Sequence, residues 1–421
     1  MYSEIMKNCV KLLSVDIVLK IFGFFVTIFY LSLITKSDYG ILGYISTIVS
    51  VLSGVLSVGQ YVVQSKFYHD ESLLENELEV NIHFVIFTTY IVFLLGGFLT
   101  KDYWIHLLFA NRVSDIVVYS ILFLPLFSIL TQILSTYLYA AKKIKEIRYL
   151  SITQFILSSV LGTLFLWLLN KKNSSLELAL IWIFISQTLI LLRLYPIYFD
   201  FKRFNLKIID IDLVKRNLNF GIPIAISGLT SILFELGDKY MIQRYIDNSS
   251  LGIFTFAGVW ANIPMILFSP FQNIWLPYFY KEKDIKINLN RTIKIASGWI
   301  GMTIVMVPIL SSVIYIISGR FVDISYQKSI IVLCYLLLAS GFQIASHLYI
   351  NFYNLLEINQ VLIIISVIMG TLNMTINYLL IPIFGLNGVA LSTLIVSAIS
   401  IVINFLVVNI VVRKKLSTQK I

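Results

Sequence analysis

Residues 12–40 read LLSVDIVLKIFGFFVTIFYLSLITKSDYG, and this stretch decides the class of fold. From Leu12 to about Ile34 it is apolar apart from Asp16, Lys20 and a few hydroxyls. A helix crosses the hydrocarbon of a bilayer in about twenty residues, so the run is long enough to span. It is too long for the core of a signal peptide, and no small-residue cleavage site follows it. Thr35-Lys36-Ser37-Asp38-Tyr39-Gly40 reads as a turn, and the segment is expected to be retained as a transmembrane helix.

Such runs recur along the chain. After the first, near 12–35, they fall near 41–65, 80–100, 113–140, 149–169 and 177–199. A second set lies near 217–244, 252–277, 293–317, 329–351, 358–381 and 387–412. They are continuous rather than alternating, which favours helices over a barrel, the other structure that satisfies its backbone inside lipid. Hydrophobic residues make up 58% of the 421 and charged ones 13%, against roughly 25% charged in a soluble domain. A water-soluble globule could not cover that much apolar surface. The chain is therefore expected to be an all-α integral membrane protein of about twelve spans.

Short loops rich in Lys and Arg face the cytoplasm. Alternate loops collect Lys142, Lys143, Lys145 and Arg148, then Lys202, Arg203, Lys207, Lys215 and Arg216. The same set takes Lys281, Lys283, Lys286, Arg291 and Lys294, and the tail Arg413-Lys414-Lys415. The opposite loops hold fewer, which places both termini in the cytoplasm and requires an even number of spans. The net charge of +10 is accounted for by these loops, without nucleic acid as a partner. The stretch His69 to Glu79 is acidic, but carboxylates contribute little to this rule.

The two sets of spans are copies of each other. Lys36-Ser37-Asp38-Tyr39-Gly40-Ile41-Leu42-Gly43-Tyr44 matches Asn248-Ser249-Ser250-Leu251-Gly252-Ile253-Phe254-Thr255-Phe256 in its Ser, Gly-Ile and aromatic places. Gln132-Ile133-Leu134-Ser135 matches Gln343-Ile344-Ala345-Ser346, and Gly162-Thr163-Leu164 matches Gly370-Thr371-Leu372. Three matches in order at nearly one offset imply an internal repeat. An even number of helices per repeat keeps both copies in one orientation, about a pseudo-two-fold axis along the membrane normal. The expected domains are a six-helix bundle over 1–200, a cytoplasmic linker over 201–216 and a second six-helix bundle over 217–421.

Charges inside spans are costly and mark transport pathways. Five stand out. Asp16 and Lys20 lie four apart on the first span, and Glu235 and Lys239 four apart on the seventh, its repeat partner, with Asp238 beside them. Two readings stand for all five. They line a cavity as substrate-binding or ion-coupling groups, cations suiting a phosphate and a carboxylate suiting a proton or sodium ion. Alternatively, the lysines snorkel to the headgroups and neutralise the neighbouring acids. Arg193 reads as a snorkelling anchor. Pro125, Pro223, Pro264, Pro270 and Pro308 within spans remove backbone hydrogen bonds and can kink helices.

Other chemistry is not suggested. His83, His106 and His347 lack metal-ligand spacing, and Cys9 and Cys334 stand too far apart in sequence to suggest a disulfide framework, so neither a metal site nor a cofactor is expected. No Gly-rich phosphate loop is present, so the chain is not expected to be an ATPase. Asp210-Ile211-Asp212 has the form of a glycosyltransferase metal motif, but it lies in the short linker with no room for a nucleotide domain. No catalytic residue is nominated.

Several motifs resemble those of polysaccharide exporters. Phe220-Gly221-Ile222-Pro223, Asp238-Lys239-Tyr240-Met241-Ile242 and Leu251-Gly252-Ile253-Phe254 resemble the seventh-span pattern and the turn after it. Asn373, Asn377 and the run Tyr378-Leu379-Leu380-Ile381-Pro382-Ile383-Phe384-Gly385-Leu386-Asn387-Gly388-Val389-Ala390 resemble the eleventh-to-twelfth-span signature. Ser37-Asp38-Tyr39-Gly40 resembles the turn after the first span. The likeness is to Wzx-type flippases of O-antigen and capsule repeat units, in the superfamily that also holds multidrug-and-toxin extruders (MATE) and lipid II flippases. It implies a V-shaped, MATE-like pair of six-helix bundles around a central cavity, working by alternating access in the bacterial inner membrane. The implied substrate is an undecaprenyl-diphosphate oligosaccharide of lipopolysaccharide or capsule synthesis, flipped to the periplasmic leaflet by an ion gradient. The implied partners are membrane lipids and a polymerase or chain-length protein, around a monomeric transporter. Asp238 maps onto the family's seventh-span aspartate and Lys239 onto the basic place after it, where Lys stands instead of Arg. Asp16 and Lys20 match no motif. The alternatives are a proton- or sodium-coupled small-molecule exporter on the same fold, and a polytopic sugar polymerase, which would need a longer external loop.

Overall fold

A computed structural model describes residues 18–20, 22–68, 76–109, 113–169, 175–199, 208–282, 284–356 and 358–418. These residues are helical nearly throughout, with one isolated bridge between Ser318 and Val322. In the first half run α1 (Val18–Leu33), α2 (Lys36–Leu56), α3 (Gln60–Phe67), α4 (Glu77–Leu99), α5 (Lys101–Leu108), α6 (Asp115–Ala140), α7 (Ile144–Gln154), α8 (Leu161–Leu169) and α9 (Ser175–Leu194). There follow α10 (Ile211–Tyr245), α11 (Asn248–Ala261), α12 (Ile263–Lys281), α13 (Ile285–Ile317), α14 (Ser329–Leu355), α15 (Asn359–Phe384) and α16 (Leu386–Thr418). Ten helical segments are long and apolar enough to cross a membrane; α1 is a shorter apolar helix, and α10 carries the charges of the seventh span. Within the described residues, all twelve expected spans thus fall on helix.

The repeat is visible in the caps. Thr35 Oγ1 accepts the Asp38 amide at 3.1 Å to start α2, and Asp247 Oδ1 accepts the Ser250 amide at 2.7 Å to start α11. Both motifs therefore form the same N-terminal turn, satisfying a donor the helix itself leaves unpaired. Both following spans are also interrupted. Val58 and Gly59 take left-handed dihedrals (φ 47° and 68°) and separate α2 from α3. Asn262 ends α11, and Pro264 sits in the first turn of α12. There it has no helical hydrogen bond to remove, so Pro264 starts a helix rather than kinking one. Pro125 and Pro308 do lie inside helices. The fifth span carries a wide π turn, Phe155–Val160, between α7 and α8.

The chain divides into two compact units, Met1–Ile232 and Leu233–Ile421, with the division inside α10. Of the expected linker, 201–207 lie outside the described residues, and 211–216 are the first turns of α10. In the first unit α6 packs along α2, α3 and α9; in the second, α14 packs along α16, α13 and α11. These are the fourth and tenth spans, so each repeat is built around the same helix. Ile129, Ile133, Leu134 and Leu138 are buried on α6, as are Ile344, Ala345, Leu348 and Phe352 on α14. Helices in lipid associate through close packing and hydrogen bonds rather than through expulsion of water. Tyr90 accordingly donates to the Leu122 carbonyl at 2.7 Å, and Tyr353 to Asn404 Oδ1 at 2.8 Å.

His83 is a packed core histidine. Its Nδ1 meets the Glu79 carbonyl, its Nε2 the Tyr195 hydroxyl at 2.6 Å, and its ring stacks on Phe199 at 3.9 Å. Among the described residues, no three of His, Cys, Asp and Glu converge as metal ligands.

Candidate functional site

The five charges singled out in the sequence separate in space. Asp16 lies outside the described residues. Lys20 is exposed on α1, without an ion pair among the described residues. Glu235 and Lys239 form the expected pair one turn apart on α10, Lys239 Nζ to Glu235 Oε1 at 3.0 Å. Its two ends differ: the lysine side chain is 10% exposed and the glutamate 66%.

Asp238 turns away from that pair and is buried, at 4% exposure. Its Oδ1 accepts from Asn373 Nδ2 at 2.8 Å and Asn377 Nδ2 at 2.7 Å, both on α15. Its Oδ2 accepts from Thr393 Oγ1 on α16 at 2.7 Å. A second layer fixes the first: Ser392 Oγ donates to Asn373 Oδ1 at 2.8 Å, and Thr393 Oγ1 also lies 3.1 Å from the Val389 carbonyl. Asn373, Asn377 and Ser392 are wholly buried. α10, α15 and α16 thus meet at one carboxylate, and the three charges of the seventh span divide into two distinct features.

All three donors to Asp238 are neutral. Hydrogen bonds to a charged acceptor are worth about 1.5–3 kcal/mol each. An ion moved from water into a protein interior still loses several kcal/mol after relaxation. The donors offset that loss and leave a net negative charge in place. One further atom bears on it: Asn377 Oδ1 is buried and accepts no hydrogen bond. The site therefore holds a single formal negative charge among neutral groups with one free amide oxygen beside them, a charge that one monovalent cation or a proton would neutralise.

The backbone supplies the positions. Asn373 and Asn377 are four apart on α15, hence on one face. α15 and α16 are joined by Gly385, whose dihedrals (φ 54°, ψ −132°) essentially only glycine adopts. A Cβ on Gly388 would stand 2.6 Å from the Leu380 carbonyl oxygen, so glycine there lets α16 fold back against α15. Gly388→Ala is expected to destabilise by about 1–3 kcal/mol, the usual range for overpacking. Thermal unfolding in detergent measures it, and transport should fall with it because Thr393 moves away from Asp238.

Asn373, Asn377, Ser392 and Thr393 are site residues that the sequence reading does not nominate. Their signal is weak but present: two asparagines one turn apart inside an apolar span, where polar side chains seek partners across helices.

Residues 5–283 match the family model described as polysaccharide biosynthesis protein. No curated protein matches the chain. Among solved structures, an inward-facing multidrug resistance MATE family transporter of the MOP superfamily superposes with a TM-score of 0.75 at 12% identity, over 96% of this chain and 98% of that one. The lipid II flippase MurJ, in an inward closed conformation, gives 0.68 at 16% identity, over 93% and 87%. The MATE multidrug transporter DinF-BH gives 0.63 at 17% identity over 95% of each chain. At these identities the likeness is one of fold, and the folds are those of transporters and flippases.

Proposed function

The chain belongs to the polysaccharide biosynthesis protein family, and from that premise we propose that it flips an undecaprenyl-diphosphate-linked oligosaccharide across the bacterial inner membrane, driven by a cation taken up at Asp238. The family supplies the class of substrate, and the buried carboxylate of Asp238 is the observation that carries the coupling. A negative charge held only by neutral donors binds a cation more tightly than a neutral site would, because Coulomb attraction is weakly screened away from water. Amide side chains can turn, presenting C=O where they presented N–H. Asn373 and Asn377 donate to Asp238 when the ion is absent, and rotation offers their oxygens to an ion that arrives.

Binding then changes three helices together. With the cation present, Asp238 no longer needs Thr393 and both asparagines as donors, and the contacts of α10 with α15 and α16 are reset. An ion shifts a conformational equilibrium only through its different affinity for the two states, and this exchange of partners is where that difference arises. Glu235 and Lys239 form a second element. The shielded ammonium of Lys239 is suited to a diphosphate and exchanges the exposed Glu235 for it by alternating access. Both termini are cytoplasmic in this reading, with the substrate entering from the inner leaflet.

Depletion of the protein tests the reading. A lipid-linked saccharide should accumulate on the cytoplasmic leaflet, where it resists a glycosidase added to the periplasmic face of spheroplasts. Increased sensitivity to cationic dyes with no such lipid would favour a small-molecule exporter on the same fold.

A further inference from the structure

The second unit holds a concentration of unmatched polar atoms that the Asp238 site does not use. On α12, Gln272 Nε2 donates to Asn351 Oδ1 of α14 at 2.9 Å, which leaves Gln272 Oε1 and Asn351 Nδ2 buried without partners. Trp275, one turn along α12, has a buried indole N–H with no acceptor. One more turn on, the Phe279 carbonyl accepts from Asn288 of α13 at 2.8 Å, and Asn288 Oδ1 and the neighbouring Thr292 hydroxyl are again unpartnered. Along about 10 Å of α12 the seam therefore presents two amide oxygens, two N–H donors and a hydroxyl with nothing to bind. Buried polar atoms are nearly always paired, and each exception asks for an explanation.

Aromatic faces flank these atoms. Phe271 and Trp275 stack nearly parallel (10°, centroids 6.4 Å apart), and Trp299 of α13 meets Phe271 edge-on at 5.7 Å. Phe271, Gln272, Trp275 and Trp299 are each part-exposed, whereas Asn351 is 4% exposed. The cluster thus has a deep amide floor and an aromatic side open to a partner. Its polar atoms are all neutral, so it is not built for a charged group.

We propose that this seam of α12, α13 and α14 is a saccharide subsite, in which a hexose ring lies on Trp275 and its hydroxyls bond Gln272 Oε1, Asn351 Nδ2 and Asn288 Oδ1. A hydroxyl is both donor and acceptor, so vicinal hydroxyls match a mixed set of amide oxygens and N–H groups that no carboxylate or phosphate would satisfy. The weakly polarised C–H face of the ring packs on indole. Trp275, packed between Phe271 and Phe279, has to swing aside to admit the ring. The subsite rests on the flippase reading and adds to it: selection among lipid carriers is by sugar, at a place separate from the ion.

The test compares two probes, undecaprenyl diphosphate and undecaprenyl diphosphate carrying one N-acetylhexosamine, binding to the full chain in lipid nanodiscs. The native protein is expected to favour the sugar-bearing lipid about tenfold, one well-made polar contact's worth. The double variant Gln272→Leu/Asn351→Leu should bind both lipids equally while keeping the native affinity for the sugar-free one. Its melting temperature should hold or rise, because apolar groups replace unmatched buried amides. Trp275→Phe keeps an aromatic ring and loses the N–H, and should give an intermediate preference. A double variant that folds and keeps the tenfold preference overturns the subsite and leaves structural water as the partner of these atoms. If neither lipid binds the native protein, the flippase reading itself fails, and the subsite with it.

Discussion

Asp238→Asn is expected to reduce transport to the level of protein-free vesicles while leaving the protein folded. Asparagine keeps the shape and one acceptor oxygen, so Asn373, Asn377 and Thr393 still find a partner. It removes the charge, and with it the attraction for a cation. Asp238→Ala should do more harm to the fold, since it leaves the two asparagine amides without an acceptor, while Thr393 keeps the Val389 carbonyl. Each such group costs about 1–3 kcal/mol, so a loss of about 2 kcal/mol or more is expected. The pair of variants separates the two roles of the side chain: Asn reports the charge and Ala the hydrogen bonds. Melting curves together with ion-driven uptake measure both. Asn377→Leu should fall between them in stability, because it removes one donor to the carboxylate and also the unsatisfied Oδ1.

The second large effect is steric and lies in the first unit. A Cβ on Gly221 would stand 2.1 Å from the Val58 carbonyl oxygen, and one on Gly59 would stand 2.4 Å from that of Gly221. Backbone therefore meets backbone where the first turns of α10 cross the break between α2 and α3. Val58 cannot retreat easily, since it and Gly59 already hold left-handed dihedrals. Below the crossing, Phe67 meets Phe220 edge-on at 5.7 Å, Lys66 Nζ lies 3.7 Å from the Phe220 ring centroid and Arg216 stacks on Phe67 at 4.1 Å. Gly221→Ala should cost about 3 kcal/mol, the upper part of the overpacking range, and Gly221→Val should prevent accumulation of folded protein. Gly301→Ala on α13 is the control. Nothing lies within 4 Å of its Cβ, and alanine there should stabilise by about 0.5–1 kcal/mol through helix propensity. Opposite signs for one substitution at two helical glycines would come from the crossing alone.

Hydropathy locates the spans because lipid leaves a continuous, non-alternating apolar run no alternative to helix, and the matched segments identify the repeat because caps recur with their turns. Helix ends are less legible. α13 begins at Ile285, eight residues before the apolar run, and α10 extends over Ile211–Tyr245. Polar first turns outside the hydrocarbon carry no hydropathy signal, though the Asp284 cap, accepting the Lys286 amide at 2.8 Å, could have marked one. The spacing of Glu235 and Lys239 predicts their pairing, since a helix fixes neighbours four apart. The partners of Asp238 are beyond such reasoning. They lie 135 to 155 residues away and carry no charge, so only the packing of α15 and α16 against α10 brings them together. The alternation of donors and acceptors around Gln272 and Asn351 is hidden for the same reason.

The central claim is that a cation held at Asp238 drives a lipid-linked saccharide across the membrane. Its most direct test is translocation of an undecaprenyl-diphosphate saccharide in sealed proteoliposomes, read by glycosidase access, with sodium and proton gradients imposed separately. One of the two gradients should accelerate flipping in the native protein and neither in Asp238→Asn. Equal rates in both proteins under every gradient would contradict the account.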